Sequence, residues 1–165
     1  MDAPSPSRQV LGFVGWLALT AAAGALGSIA SIRAPVFYAE LARPAWAPPA
    51  SWFGPVWTTL YVLMAVAAWL VWRERLAPGR TRALVLFVVQ LALNALWSWL
   101  FFAWRLGALA FVDVLLLFAL IVATLVAFLR VRALAGLLLV PYLLWVGFAS
   151  ALTWAVWQRN PALLG

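Results

Sequence analysis

Residues 107–129 read GALAFVDVLLLFALIVATLVAFL, and in that run the only charge is Asp113. About 20 consecutive apolar residues suffice to carry a helix across the hydrocarbon core of a bilayer. The run is bounded by Arg105 on one side and Arg130 on the other, where guanidiniums would meet the headgroups. The stretch therefore predicts a membrane-spanning helix. Working outward, four further apolar segments of similar length follow the same rule, at 10–32, 53–72, 83–104 and 133–157. Their connections are short (RERLAPGRTR at 73–82, Arg105 alone, RVR at 130–132), except for a Pro- and Trp-rich stretch at 33–52. Short links force neighbouring helices to run antiparallel. The expected fold is all-α, a single integral-membrane bundle of five helices over residues 1–165.

Composition supports this and closes several alternatives. The chain is 68% hydrophobic and 9% charged, against about 25% charged residues in soluble domains. It has no cysteine and no histidine, which removes disulfides, thiol catalysis, iron–sulfur clusters, zinc fingers and histidine-ligated haem. Its acids are Asp2, Glu40, Glu74 and Asp113, too few for a carboxylate metal cage or a two-carboxylate hydrolase. No metal site is expected. The net charge of +7 comes entirely from arginine, scattered singly at segment ends. That pattern excludes nucleic acid as a partner and reads as interfacial anchoring.

Small residues cluster between Ala21 and Ala30, so the first segment could be a signal peptide. Its apolar run exceeds the roughly 7–15 residues of such a core, and a retained helix is expected. Arginine counting gives the orientation. Arg8, Arg73, Arg75, Arg80, Arg82, Arg130 and Arg132 fall on one side; Arg33, Arg43, Arg105 and Arg159 fall on the other. If the membrane is a bacterial inner membrane, the N-terminus is expected in the cytoplasm.

The stretch from Arg43 to Tyr61, RPAWAPPASWFGPVWTTLY, holds Pro44, Pro48 and Pro49 beside Trp46 and Trp52, then opens into a helix with Trp57 and Tyr61. So stiff and aromatic a connector reads as the rim of a cavity for a flat apolar ligand. In the third span Gln90, Asn94 and Ser98 recur every four residues on one face, which must meet other helices or a ligand. Trp97 neighbours that stripe. Asp113 is expected to take a structural hydrogen bond, within reach of Arg105 or a helix end. Pro141 should bend the last span, where Trp145, Ala149 and Leu152 share a face. Trp16, Trp69, Trp72, Trp104 and Trp157 fit an aromatic belt. Leu152, Trp154 and Arg159 loosely match a leucine–aromatic–basic pattern proposed for sterols, with Trp154 in the tyrosine position.

Taken in order, FYAELARPAWAPP, FGPVWTTLY, LNALWSWLFF, the Asp113 region, PYLLWVGFASAL and the terminal WQRN resemble the translocator protein family, also called tryptophan-rich sensory protein or peripheral-type benzodiazepine receptor. The resemblance covers nearly the whole chain. It implies a five-helix membrane protein, commonly a homodimer, that binds porphyrins such as protoporphyrin and haem, sterols and synthetic aromatic ligands. By motif matching, Trp57 and Trp145 would be facing aromatic walls. Asn94 and Trp97 would come from the third helix, Tyr38 from the first loop, Ala149 from the fifth helix and Ser28 from the first. Pro48 and Pro49 would hold the lid. The chain departs from the family at Phe37, Arg43 and Trp154, and the last departure weakens the sterol pattern.

The leading expectation is thus a receptor- or transporter-like membrane protein for porphyrins. Arg33 or Arg43 could pair with a ligand carboxylate. Without histidine or cysteine, a metal-free porphyrin is at least as suitable as haem. No cofactor is obligatory on this reading. One alternative is light-dependent oxidative breakdown of bound porphyrin, in which Trp57 and Trp145 would take part; another is sterol binding or small-molecule efflux. For a homodimer, Ala23 with Gly27 and Ala103 with Gly107 offer small residues four apart.

Overall fold

The computed structural model describes residues 5–165, leaving Asp2 outside the described residues. Five helices in it are long and apolar enough to cross a membrane, and no strand occurs among the described residues. Helix α1 (Pro6–Ala30) starts with proline in its first turn, where the missing N–H would have had no helical partner anyway. A short helix α2 (Ala34–Glu40) follows, then α3 (Phe53–Arg73) and α4 (Arg80–Ser98). Helix α5 (Gly107–Val131) precedes the last span, which is divided into α6 (Ala133–Leu137) and α7 (Val140–Arg159). A final turn, α8 (Pro161–Leu164), closes the chain.

The order around the bundle follows the packing. Helix α1 lies against α3 and α4, α4 against α5, and α5 against α6 and α7. Glycines on α1 make its close contacts possible. A Cβ at Gly24 would stand 2.9 Å from the Tyr61 ring, and one at Gly27 would stand 3.2 Å from Ser98 Oγ. Helix α3 touches α6, whereas its contact with α7 is made by rings reaching across a gap. The main core is built from Leu60, Met64, Phe87, Leu117, Phe128 and their neighbours, toward the end where α3 passes into α4. A second core lies at the other end, around Phe37, Tyr38, Phe101, Ala110 and Leu152.

Two turns take left-handed backbone. Gly79 (φ 80°) ends the α3–α4 connection, and Arg105 (φ 57°) turns the chain into α5. Before Arg105, residues Trp99–Ala103 widen into a π-helical turn in which Trp104 N–H donates to the Trp99 carbonyl (2.8 Å). Such turns re-aim the side chains on either side of them.

Three expectations need correction. The 33–52 stretch is not all loop. Pro35 starts helix α2, and burial of Phe37 and Tyr38 against the second core holds it. Pro141 does not bend a continuous helix. The chain breaks at residues 138–139, and Pro141 then sits in the first turn of α7, where its ring is tolerated. Asp113 Oδ2 is buried without a hydrogen-bond partner among the described residues, and Arg105 instead places its guanidinium 4.5 Å above the Phe37 ring.

The ends of the bundle carry the charges. Trp69 Nε1–H donates to the Gln9 carbonyl (3.1 Å), and Arg132 pairs with Glu74 (2.6 Å). These contacts place the start of α1, the α3–α4 turn and the α5–α6 turn at one end, as the arginine pattern requires. Several belt tryptophans also pack between helices. Trp16 meets Phe87 edge-on (5.8 Å), and the Trp157 ring lies where a Cβ on Gly107 would fall. Gly27 and Gly107 therefore serve contacts inside the chain and are not free for a dimer seam.

Candidate functional site

Between the spans lies a cavity of about 560 Å³, within the roughly 300–1,000 Å³ range of small-molecule sites. Helix α3 contributes Phe53, Trp57 and Tyr61; α4 contributes Asn94, Trp97 and Ser98; α7 contributes Trp145, Val146 and Ala149. Val114 and Leu117 of α5 form the back, and Thr20, Gly24, Gly27 and Ser28 of α1 face them. Tyr38 of α2 closes one end.

One wall is held by a buried hydrogen-bond chain. Tyr61 OH donates to Asn94 Oδ1 (2.6 Å), Asn94 Nδ2 donates to Tyr142 OH (3.0 Å), and Tyr142 OH donates to Gln90 Oε1 (2.6 Å). The chain ties α3, α4 and α7 together and gives the hydroxyls of Tyr61 and Tyr142 and the Asn94 amide partners inside the bundle. Three buried polar atoms near this region have none: Gln90 Nε2, Trp97 Nε1 and Asp113 Oδ2. Trp97 lies on the cavity wall, stacked on Phe101 (5.2 Å, 12°), with its indole Nε1 itself buried.

The aromatic rim is also fixed by contacts. Phe53 meets Trp145 edge-on (6.0 Å), and Trp57 meets Tyr61 (5.6 Å) and Tyr142 (6.2 Å). Over the end of the cavity, Tyr38 OH donates to the Pro48 carbonyl (3.0 Å) while the Arg43 guanidinium lies 4.7 Å from its ring centre. Burial pushes the Tyr38 phenol above the ordinary tyrosine range, and Arg43 pulls it partly back. The phenol is thus protonated at neutral pH. Its contribution is complete there and declines only as pH rises beyond that range. Asn160 clasps the same connector, accepting from Ala42 N–H (2.8 Å) and donating to the Ala42 carbonyl (3.0 Å).

The lining residues that remain exposed are Ala21, Ser28, Pro35, Gly54, Thr58 and Val62. All lie on α1, α2 or α3, so the cavity opens sideways between the first two spans. Arg33, exposed and in no ion pair among the described residues, caps α2 immediately before the lining residues Ala34 and Pro35.

The structure brings Ser28, Tyr38, Trp57, Asn94, Trp97, Trp145 and Ala149 around this one cavity. Pro48 and Pro49 do not line it. Pro48 acts through its carbonyl on Tyr38, and Pro49 accepts from Trp52 N–H (3.1 Å). Trp46 and Trp52 stay on the outside, Trp46 against Phe148 (5.7 Å). Leu152, Trp154 and Arg159 are not brought together. Leu152 is buried in the second core, Trp154 is exposed beside Phe111, and Arg159 donates to its own helix at Ala155. Sequence reasoning missed Tyr61 and Tyr142 as network members, and Asn160 as the clasp. For Tyr61 a signal existed, since a tyrosine within an apolar span needs a partner for its hydroxyl.

A five-span membrane bundle enclosing an aromatic cavity is the class these features define. The TspO/MBR family model matches residues 16–158, and the chain belongs to that family. It is 40% identical over 157 residues to the tryptophan-rich protein TspO of Chlorobaculum tepidum, covering 94% of this chain and 99% of that one. It is 43% identical over 127 residues to the translocator protein of Homo sapiens, covering 75% of each. To the tryptophan-rich sensory protein of Cereibacter sphaeroides it is 35% identical over 146 residues, covering 88% of this chain and 90% of that one.

Proposed function

We propose that this integral membrane protein is a receptor for flat, largely apolar ligands of the tetrapyrrole class, held in the cavity between its spans. The observation that carries the reading is the pair of indoles, Trp57 from α3 and Trp145 from α7, lining one cavity of about 560 Å³. Indole faces give a planar ligand large contact area at little cost in side-chain freedom. Exposed Arg33, next in sequence to the lining residues Ala34 and Pro35, and Arg43, over the ring of the lining residue Tyr38, suit the carboxylates of such a ligand. With no histidine or cysteine in the chain, a metal-free porphyrin is the preferred occupant.

Dark titration with protoporphyrin, following tryptophan fluorescence, tests this. Saturable quenching is expected, weakened about fivefold by Trp57→Phe or Trp145→Phe. Quenching that never saturates would remove the porphyrin reading. Because both indoles line the cavity, light-driven oxidation of a bound porphyrin by dissolved dioxygen, which takes up the electrons, is the second reading. Under illumination, bleaching of the Soret band no faster than in the double variant would rule it out. The dispersed tail triplet offers a sterol no common surface, so sterol binding is not proposed.

A further inference from the structure

The seam between α1 and α3 carries a second recess, separate from the cavity and at the arginine-rich end of the bundle. It is a surface groove of about 300 Å³ lined by Gly12, Gly15, Trp16, Leu19 and Trp72. The four α1 residues lie on one stripe of the helix. Arg8 precedes Gly12 by four residues and heads that stripe, its side chain leaning toward the helix start and the interface.

The two glycines are bare for different reasons. A Cβ on Gly12 would collide with the Trp72 ring, so Gly12 lets that indole lie against the α1 backbone. Gly15 has no heavy atom within 4 Å of the place its Cβ would take. A glycine inside a helix weakens it relative to alanine, and no described residue uses the space it leaves.

Charge completes the site. Arg8 is exposed and has no partner among the described residues. Arg80 Nε donates to the backbone carbonyl of Trp72 (3.0 Å), the residue whose ring lines the groove, and its terminal nitrogens make no hydrogen bond or ion pair among the described residues. The neighbouring acid, Glu74, is occupied by Arg132 (2.6 Å). We infer that this groove binds one anionic phospholipid, an acyl chain lying over Gly15 between Trp16, Leu19 and Trp72, and the phosphate between Arg8 and Arg80. The guanidinium fork matches a phosphate's oxygens, and basic groups at a membrane surface select anionic headgroups. A second copy of the chain fits less well. A parallel seam between two α1 helices would bring both Arg8 guanidiniums to the same place.

The test uses native mass spectrometry of the full chain in mild detergent with equal amounts of phosphatidylglycerol and phosphatidylcholine. Wild-type protein should retain one phosphatidylglycerol per chain. Gly15→Leu, whose Cβ meets open space and whose branch would fill the groove, should lose it with a thermal midpoint no lower than that of the wild type. Arg8→Gln should lower the preference over phosphatidylcholine about fivefold. Leu19→Trp, at the exposed edge of the groove, is the second blocking variant should Gly15→Leu fold poorly. Equal retention of the two lipids, or a preference untouched by all three variants, would overturn the inference. So would displacement of the lipid by inorganic phosphate, which would make a free anion the ligand. A dimer mass that Gly15→Leu abolishes would give the groove to a second copy and likewise overturn it.

Discussion

The two sides of the cavity are built on different principles. The back, formed by α4, α5 and α7, is buried and cross-linked. Asn94, Val114, Leu117 and Val146 are shut away from the surface, and the Tyr61–Asn94–Tyr142–Gln90 chain ties three helices. The front, formed by α1 and the start of α3, is made of small or short side chains (Ala21, Ser28, Gly54, Thr58) that stay exposed. Among the described residues the side-chain hydrogen bond from α3 to α1, Trp69 to the Gln9 carbonyl, lies at the arginine-rich end and away from the mouth. In hydrocarbon a polar group without a partner is costly, so these hydrogen bonds fix a geometry. Small-residue contacts without hydrogen bonds are cheaper to open. The back therefore sets the shape of the cavity, and the front sets access to it.

The largest effect should follow from breaking the back. Asn94→Leu strands the hydroxyls of Tyr61 and one partner of Tyr142, and should cost about 2–3 kcal/mol, read as a lowered thermal midpoint in detergent micelles. If the loss were no larger than for a front-side change, the two walls would not differ as described. Next in size is the clasp. Asn160→Ala removes both bonds to Ala42 and should cost about 1–2 kcal/mol. Collisional quenching of Trp46 and Trp52 should become faster as the connector loosens. Gly24→Ala asks whether front and back communicate. Its Cβ would stand 2.9 Å from the Tyr61 ring, and displacing that ring should cost about 1 kcal/mol. Adding it to Asn94→Leu should then cost less than the sum, since Tyr61 is shared. The smallest effect on stability belongs to the mouth. Thr58→Leu should change it by less than about 0.5 kcal/mol, yet slow ligand entry in stopped-flow quenching. Unchanged entry would show that ligands do not pass between α1 and α3.

Much of this was legible in the sequence, because the signals involved are local. An apolar run bounded by arginine declares a span wherever it sits, and five of them with short links leave few arrangements. The i, i+4 spacing of Gln90 and Asn94 marked a polar face, since such groups need partners inside a membrane. Their partners could not be read. Tyr142 was one aromatic among many in an apolar segment, and only the packing of α7 against α5 brings its hydroxyl to α4. Asp113 misled for the same reason. Sequence proximity suggested Arg105, but the left-handed turn at that residue sends its guanidinium over Phe37. Asn160 and Ala42 are 118 positions apart, a distance no local pattern spans.

The sequence by itself determined that the chain crosses a membrane five times, where its charged ends lie, and which family it resembles. Each of these depends on composition and spacing along one helix, and solvent alone enforces them. Only the tertiary structure decided which residues line the cavity, that it opens between α1 and α3, and that the prolines of the connector act through the Tyr38 hydroxyl without lining it. Those facts depend on contacts between helices, and such contacts are fixed by how the side chains of five spans fill the space they share.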